Sequence, residues 1–466
     1  MTKHRCTRSC RGGHGHRRPN RRTVLGGLAS LGGLAAFGAG GPLVRVARAD
    51  DGELEDRYYI FCYFDGGWDL LMSLDPRDPA VFRDDIRKTT RIQPGYDRLP
   101  SQYRELVPTS VPEMTFGPAI GDLRYAAEKM CVVRGLSMDT LTHEVGRRRF
   151  LTGRPPTGLQ AKGSSLATLL ASCLGSGQPM PQLSVLVESY NANQPSWSSA
   201  VRVSSVQDLL RALTPATTGL PDGLQALADD LLADQGAQQA FASRFHQDAL
   251  DFRRAGRSLV DQGLGDRFDF AAETAEMQAL RDLYGIEPDD LTSSAAQCAS
   301  AVVAVTSGIS RSVSIVVTDG LDSHGPEWAS EHPARLRSGF DLVKAMVDDL
   351  ETREFGDTGE SWLDRTTIVG FSEFGRSTLV NSSGGRDHFL HNACFLMGGG
   401  VQGGRVIGAT SDQGMAPTTT DLVTGLPSPG GVIVNPEHIY RALLTGAGIT
   451  EDIGEYGVDP LMAIYG

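Results

Sequence analysis

The segment Arg311–His324, RSVSIVVTDGLDSH, decides the fold class of this chain. Residues 312–318 are dominated by Val and Ile and carry no charge, which predicts a strand buried on both faces. Asp319, Asp322 and His324 follow directly. Open α/β sheets place their binding sites at the carboxyl ends of their strands, so oxygen and nitrogen ligands at this point indicate a functional site.

Two further apolar segments end in carboxylates in the same way. YYIFCYF (58–64) is followed by Asp65 and Asp69, and TTIVGFS (366–372) is followed by Glu373. Strands and helical segments alternate along most of the chain. This alternation predicts an α/β fold with a mostly parallel central sheet flanked by helices.

Other segments complete the expected order of elements. MCVVRGLSM (130–138) and QLSVLVES (182–189) are predicted strands, and residues 116–130 are a predicted helix. FLMGGGVQGGRVIG (395–408) is expected to form a β-hairpin. Residues from about 205 to 300 combine helical apolar spacing with many acidic residues, which predicts a helical insertion.

The first 49 residues have the pattern of an export signal. They hold ten Lys and Arg and no acid, with RR at 21–22, a Gly- and Ala-rich apolar run, and ARA at 47–49. This is the pattern of a twin-arginine signal with its cleavage site. We therefore expect residues 50–466 to form a single domain, exported folded to the periplasm or the cell exterior. A membrane anchor fits less well, because arginines close the apolar run.

Charge and hydropathy limit the partners of the mature chain. After residue 49 the chain holds 34 basic and 56 acidic residues, a formal charge of −22. Such a surface disfavours nucleic acid and anionic membranes. No other segment approaches the ~18–20 apolar residues of a spanning helix, so no membrane span is expected in the mature chain. No Cys spacing typical of zinc sites is present.

Each candidate residue at the strand ends also has a structural interpretation. Asp322 and His324 can bind one ion, such as zinc, manganese or iron, or can belong to a turn capped by Asp319. Asp65 stands at the end of its own strand and is the stronger ligand candidate of the first pair. Asp69 can instead open a short helix.

Two later segments add candidates. Arg376 follows Glu373 and can hold an anion as a fork, or can pair with Glu373 itself. In DHFLH (387–391), His388 is the ligand candidate and His391 is expected to be structural.

Thr142 and His143 open a predicted helix that ends before Thr152 and Gly153. A hydroxyl or imidazole at a helix N-terminus is placed as a nucleophile would be, where free N–H groups favour an anion. The alternative is that Thr142 serves only as the N-cap.

Together these segments resemble the alkaline phosphatase and sulfatase superfamily. In that fold, metal ligands follow successive strands and a nucleophile opens a helix that ends in Thr-Gly. HEVGRRRFLTGR (143–154) corresponds to that helix, with His143 in the nucleophile's position and Thr142 one residue before it. Glu373 and Phe374 stand where the superfamily usually has Asp-His. The resemblance therefore implies altered chemistry, with one metal or an altered pair.

The chain also resembles, over nearly the whole mature length, the exported bacterial domain-of-unknown-function family 1501. The matching motifs are GGWD (66–69), TH (142–143), DSHG (322–325), SEFGR (372–376) and DH (387–388). That family has no settled activity, so the resemblance implies a fold and a site more directly than a reaction.

Two functions are consistent with these residues. The first is an exported metal-dependent hydrolase of a small anionic ester, a phosphate or sulfate, that is attacked by metal-activated water. Its expected metal ligands are Asp65 or Asp69, Asp322, His324, Glu373 and His388. Arg376 or Arg154 would stabilise the anion, and His143, beside Thr142, would act as general base or as an additional ligand. The second is a non-catalytic envelope protein that binds a ligand or a partner protein, with the helical insertion as docking surface.

Overall fold

A computed structural model of the chain describes residues 54–214 and 256–466, together with six positions between them (223, 224, 227, 230, 231 and 234). The predicted export signal lies outside the described residues. The strands, in chain order, are β1 Tyr58–Phe64, β2 Met130–Ser137, β3 Gln182–Val185, β4 Val201–Val203, β5 Ser312–Thr318, β6 Thr366–Phe371, β7 Gly375–Arg376, β8 His388–Phe389, β9 His391–Gly398 and β10 Arg405–Ile407.

Eight of these strands form one mixed, mostly parallel sheet in the order β10-β2-β9-β6-β1-β5-β3-β4. Only β9 runs against its two neighbours, β2 and β6; the other neighbouring pairs are parallel. Strands β7 and β8 pair separately as a short antiparallel ribbon. The predicted α/β class with a mostly parallel sheet is confirmed, and the carboxyl ends of β1, β5 and β6 lie side by side at one edge.

The labelled helices are α1 Arg87–Thr90, α2 His143–Thr152, α3 Leu166–Leu174, α4 Val206–Leu213, α5 Ala275–Tyr284, α6 Ser294–Thr306, α7 Glu327–Ser330, α8 His332–Thr352, α9 Trp362–Arg365 and α10 Pro436–Gly446. They cover both faces of the sheet. Helices α5, α6 and α8 pack into one hydrophobic core, and α2, α3 and α10 pack into the other.

Alternation along the central strand explains this three-layer arrangement. Successive side chains of a strand point to opposite faces. In β1, Ile60 and Phe64 belong to the core under α6 and α8, whereas Phe61 and Tyr63 belong to the core under α2 and α10. All seven residues of β1 and of β5 are buried, as a strand covered on both faces requires.

The Gly-rich segment at 395–408 does not form the predicted hairpin. Strand β2 lies between β9 and β10, and β10 pairs with β2 in parallel. The connection passes close to the start of β2, where a Cβ on Gly403 would lie 2.2 Å from the carbonyl oxygen of Glu128. Glycine is needed there because two backbones approach each other, and local sequence pattern does not reveal that crossing.

Two other predicted elements are shorter or tighter than expected. Strand β3 ends at Val185 because Leu186 has a positive φ of 61°, which leaves the extended conformation. The predicted helix at 116–130 is instead a 3-10 helix, Gly121–Lys129, that leads directly into β2.

The described part of the predicted insertion, about 205–300, is largely helical. It contains α4, the 3-10 helix Leu264–Phe268 and α5. Helix α6 begins within that range but belongs to the layer on the sheet, where Gln297 accepts a hydrogen bond of 3.0 Å from the backbone N–H of Val316. Among the described residues, no helix combines the length and apolarity needed to cross a membrane.

Candidate metal centre

Residues from three distant segments meet beyond the carboxyl ends of the central strands. Asp322 follows β5, His143 opens α2 after β2, and His388 lies in β8. Each offers one ligand atom, and these three atoms lie within 4.8 Å of one another. His324 lies beside them, two residues after Asp322. We call these four residues the His–Asp cluster.

The spacing within the His–Asp cluster suits a shared cation. The Nε2 atoms of His324 and His388 lie 3.0 Å apart, and they lie 3.1 and 3.3 Å from Oδ1 of Asp322. Nε2 of His143 lies 3.4 Å from the other oxygen, Oδ2. Ligand atoms at 2.0–2.1 Å from a tetrahedral zinc ion are about 3.3 Å apart, and these four contacts are close to that length. The group of three whose ligand atoms all lie within 4.8 Å of one another is His143, Asp322 and His388.

Each imidazole of the cluster is oriented through its other nitrogen. Nδ1 of His143 lies 2.7 Å from Oε1 of Glu373, and Nδ1 of His324 lies 3.0 Å from Oδ1 of Asp387. Nδ1 of His388 lies 2.5 Å from the carbonyl oxygen of Leu141. Carboxylates and carbonyls only accept, so all three Nδ1 atoms carry the proton. A carboxylate or carbonyl behind the ring is the usual environment of a metal-binding histidine.

This tautomer leaves lone pairs facing one another at the centre. In neutral rings with the proton on Nδ1, Nε2 of His324 and Nε2 of His388 are both acceptors, yet they lie 3.0 Å apart. Nε2 of His143 is a buried atom that has no hydrogen-bond partner among the described residues. A cation bound beside Asp322 would relieve the contact between these acceptors, so the residues present fit a metal ion.

The pKa shifts of Asp322 and His388 agree with this set of donors, whereas that of His143 favours the protonated ring. The hydrogen bond to Glu373 raises the pKa of His143, and burial lowers the pKa of His388. Partial burial opposes ionisation of Asp322, but the hydrogen bond and charge of Arg376 outweigh it and lower the pKa of Asp322 to about 2. Near pH 7 Asp322 is therefore a carboxylate and His388 a neutral imidazole, the forms that metal ligands require.

Glu373 lies behind the cluster and orients His143. It is fully buried, and its oxygens also accept from the backbone N–H of Gly66 at 3.0 and 3.2 Å and from Oγ of Ser372 at 2.8 Å. Helix α2 reaches Glu373 because residue 146 is glycine, where a Cβ would lie 2.4 Å from the Glu373 carbonyl oxygen. The structure thus brings Glu373 to the site through His143.

The double glycine after β1 brings the strand-end loops together. Gly66 has a φ of 112°, and a Cβ there would lie 2.6 Å from the backbone nitrogen of Asp322. A Cβ on Gly67 would lie 2.5 Å from the ring of Phe374. In the structure both glycines permit close approach between neighbouring loops.

Arg376 is a buried anchor of these loops. Its Nη2 donates to Oδ1 of Asp322 at 2.6 Å and to the carbonyl oxygen of Gly66. Its Nε donates to the Gly67 carbonyl at 2.9 Å, and its Nη1 donates to the Arg386 carbonyl at 3.2 Å and lies 3.4 Å from Nε2 of His324. The predicted forked contact with an anion is therefore absent from this geometry, because the guanidinium is engaged within the described residues.

Several predicted site residues lie outside the cluster. Tyr63 donates a 2.7 Å hydrogen bond to Asp65, and burial raises the pKa of Asp65. Thr142 is an exposed N-cap of α2 whose side chain makes no capping hydrogen bond. Arg154 pairs with Glu455 at 3.0 Å near the end of the chain. None of these side chains contacts the cluster.

Asp69 belongs to a buried network that sequence reasoning missed. Its Oδ2 accepts a 2.7 Å hydrogen bond from Nε1 of Trp328 and lies 2.9 Å from Nε of Arg386. Nε2 of His332 accepts a 3.1 Å hydrogen bond from the Asp69 backbone. Asp69, Arg386, Trp328 and His332 are each at most 1% exposed. The structure therefore separates Asp69 from the cluster and makes it a structural carboxylate.

The fold and the cluster define an α/β protein with a histidine-rich candidate metal centre at the carboxyl ends of its strands. The chain belongs to the family described as Protein of unknown function (DUF1501), whose model matches residues 56–424. That range contains every residue of the cluster, and the predicted family membership is confirmed. No curated protein matches the chain.

A solved structure was also found by comparison. It is described as "Crystal structure of Ps i-CgsB in complex with k-i-k-neocarrahexaose" and shares 9% sequence identity with this chain. The alignment covers 87% of this chain and 75% of that one, with a TM-score of 0.38.

Proposed function

We propose that the protein is an exported, metal-dependent hydrolase of phosphate or sulfate esters. The observation that carries this proposal is the pair of Nε2 acceptors of His324 and His388, 3.0 Å apart beside the Asp322 carboxylate. The twin-arginine pattern supports export. Ligands at the ends of successive strands of a mixed sheet support placement in the alkaline phosphatase and sulfatase superfamily.

His143, Asp322, His324 and His388 would hold the ion, which we expect to be zinc, manganese or iron. When bound, such an ion polarises the ester and lowers the pKa of a water molecule. The chain's own residues prepare the site for it. Arg376 holds the Asp322 carboxylate, and the acceptors behind the three rings hold their Nδ1 protons in place.

Direct attack by water is the route that this arrangement supports. Thr142 is exposed at the N-cap and contacts no residue that would activate its hydroxyl. His143 has the geometry of a general base, because Glu373 holds its Nδ1 proton and leaves Nε2 free toward the cluster. The same tautomer of His143 suits both roles, general base and metal ligand.

Metal content tests the proposal first. Protein purified without chelator is expected to contain about one equivalent of a transition metal by elemental analysis, lost in His324→Ala and His388→Ala. His391→Ala is the matched control, because His391 opens the neighbouring strand β9 and makes no contact within the cluster. Asp322→Asn should abolish turnover of p-nitrophenyl phosphate and p-nitrophenyl sulfate.

A folded, metal-free protein that turns over neither ester would overturn the proposal. The alternative would then hold: a non-catalytic envelope protein that binds a ligand or a partner.

A further inference from the structure

The carboxylates around the cluster outnumber its cationic side chains. Asp322 belongs to the cluster, Glu373 lies 2.7 Å from Nδ1 of His143, and Asp387 lies 3.0 Å from Nδ1 of His324. One guanidinium, that of Arg376, contacts the same groups among the described residues. Three carboxylates and one guanidinium leave an excess of two negative charges, which a single divalent ion only neutralises.

Arg376, the guanidinium that contacts the cluster among the described residues, is not left to meet a second substrate charge. Arg376 is engaged by Asp322, by Nε2 of His324 at 3.4 Å and by three backbone carbonyls, and its side chain is buried. Two other arginines on neighbouring segments are also paired: Arg386 lies 2.9 Å from Asp69, and Arg147 lies 3.3 Å from Glu188. Recognition of a phosphate dianion normally uses a free guanidinium fork or a second cation.

We propose that the site prefers esters with a single negative charge, sulfate monoesters or phosphodiesters, over phosphate monoesters, which carry two. This inference rests on the proposed function and specifies its substrate class. A phosphate monoester is almost fully dianionic above about pH 8. Its second charge would add to the negative charge of Asp322, Glu373 and Asp387 without a counter-charge, and repulsion between like charges disfavours that.

Equilibrium binding tests the preference without turnover. Benzenesulfonate and phenylphosphonate have nearly the same shape and are not hydrolysed, but near pH 8.5 they carry one and two charges respectively. We expect the zinc-loaded protein to bind benzenesulfonate at least about tenfold more tightly by isothermal titration calorimetry, a difference of about 1.4 kcal/mol. Tighter binding of phenylphosphonate, or equal binding, would overturn the inference.

A charge variant ties the preference to the site. Asp387→Asn keeps an oxygen for the Nδ1 proton of His324 while it removes one negative charge. The ratio of the affinities for benzenesulfonate and phenylphosphonate should therefore fall by about three- to tenfold. The control is Asp348→Asn, which changes a carboxylate paired with Lys344 on α8 and should leave the preference unchanged. An unchanged preference in Asp387→Asn would show that these carboxylates do not set it.

Turnover separates this inference from the proposed function. With the zinc-loaded protein, p-nitrophenyl sulfate or bis(p-nitrophenyl) phosphate should be hydrolysed with a higher kcat/KM than p-nitrophenyl phosphate. A higher value for p-nitrophenyl phosphate would refute the charge preference and leave the hydrolase intact. No turnover of any of the three esters by the metal-loaded protein, or no metal bound at all, would refute both.

Discussion

Replacement of Asp69 by asparagine tests whether this residue is a structural carboxylate or a metal ligand. Asp69 is 1% exposed and Arg386 is fully buried, with 2.9 Å between Oδ2 and Nε. Oδ2 also accepts from Trp328, and Oδ1 accepts from the backbone N–H groups of Leu71 and Met72 at 2.9 and 3.2 Å. Asparagine keeps the shape and one acceptor oxygen, so the main loss is the negative charge beside a buried guanidinium.

The expected loss in the free energy of unfolding is about 3–5 kcal/mol, the usual cost of leaving one partner of a buried ion pair uncompensated. The double variant Asp69→Asn with Arg386→Gln should lose less than the sum of the two single variants, because the second change removes the stranded charge. The Lys344–Asp348 ion pair, which is more exposed, provides a comparison for this loss in the free energy of unfolding. Asp348→Asn should cost less than about 1 kcal/mol.

Urea unfolding followed by circular dichroism measures these free energies, and elemental analysis of the folded fraction measures bound metal. We expect Asp69→Asn to bind the same amount of metal per folded molecule as the unmodified chain. A variant that unfolds at an unchanged urea concentration but has lost its metal would refute the structural role. It would also return Asp69 to the ligand set expected from the sequence.

Three further predictions concern residues that surround the candidate metal centre and hold its loops and helix in place. Glu373→Gln should weaken metal binding by about 10–100-fold in a chelator competition, because Nδ1 of His143 loses its carboxylate; unchanged affinity would contradict the orienting role. Burial lowers the pKa of His332 to about 3, so below pH 6.5 the unfolded chain binds a proton that the folded chain does not. His332 should therefore lower the free energy of unfolding by about 1.4 kcal/mol for each unit by which the pH falls, and His332→Gln should make this decrease smaller. The same pH dependence in the variant and in the unmodified chain would exclude a contribution from His332. Gly146→Ala should cost about 1–3 kcal/mol and weaken metal binding, whereas Gly177→Ala, which faces open space, should do neither.

The strands at the centre of the sheet could be predicted because their signal is local. Tyr58–Phe64 and Ser312–Thr318 are uncharged runs dominated by apolar residues, and the structure assigns strands with those bounds. The order of strands was not accessible in the same way. That β2 inserts between β9 and β10 depends on packing between segments more than 250 residues apart, which no local periodicity reports.

In the candidate site too, some features could be predicted from local sequence and others depend on contacts between distant segments. Asp322, His324 and His388 could be proposed because each follows or lies near a strand end, and the geometry of an open α/β sheet brings such ends together. The sequence could not show whether Glu373 and Asp69 are metal ligands or supporting carboxylates. Both are carboxylates after a strand, and only their burial and partners show that one orients His143 and the other pairs with Arg386.

Buried anchors alternate with site residues along the chain, and this alternation explains how the ligands are held. Ser323, 1% exposed, lies between Asp322 and His324, and its Oγ lies 2.8 Å from Nδ1 of His332. Arg386, fully buried, comes immediately before Asp387 and His388.

The two ligand-bearing loops are also joined directly, because the backbone N–H of Arg386 donates to the carbonyl of Ser323 at 3.2 Å. A Cβ on Gly385 would lie 2.3 Å from the carbonyl carbon of His324, so the loops pack without room for a side chain. These contacts use backbone and buried side chains, none of which is a ligand. The positions of the ligand-bearing loops are thus set by the fold, and we expect variants of the ligands to lose metal while they keep the stability of the unmodified, metal-free chain.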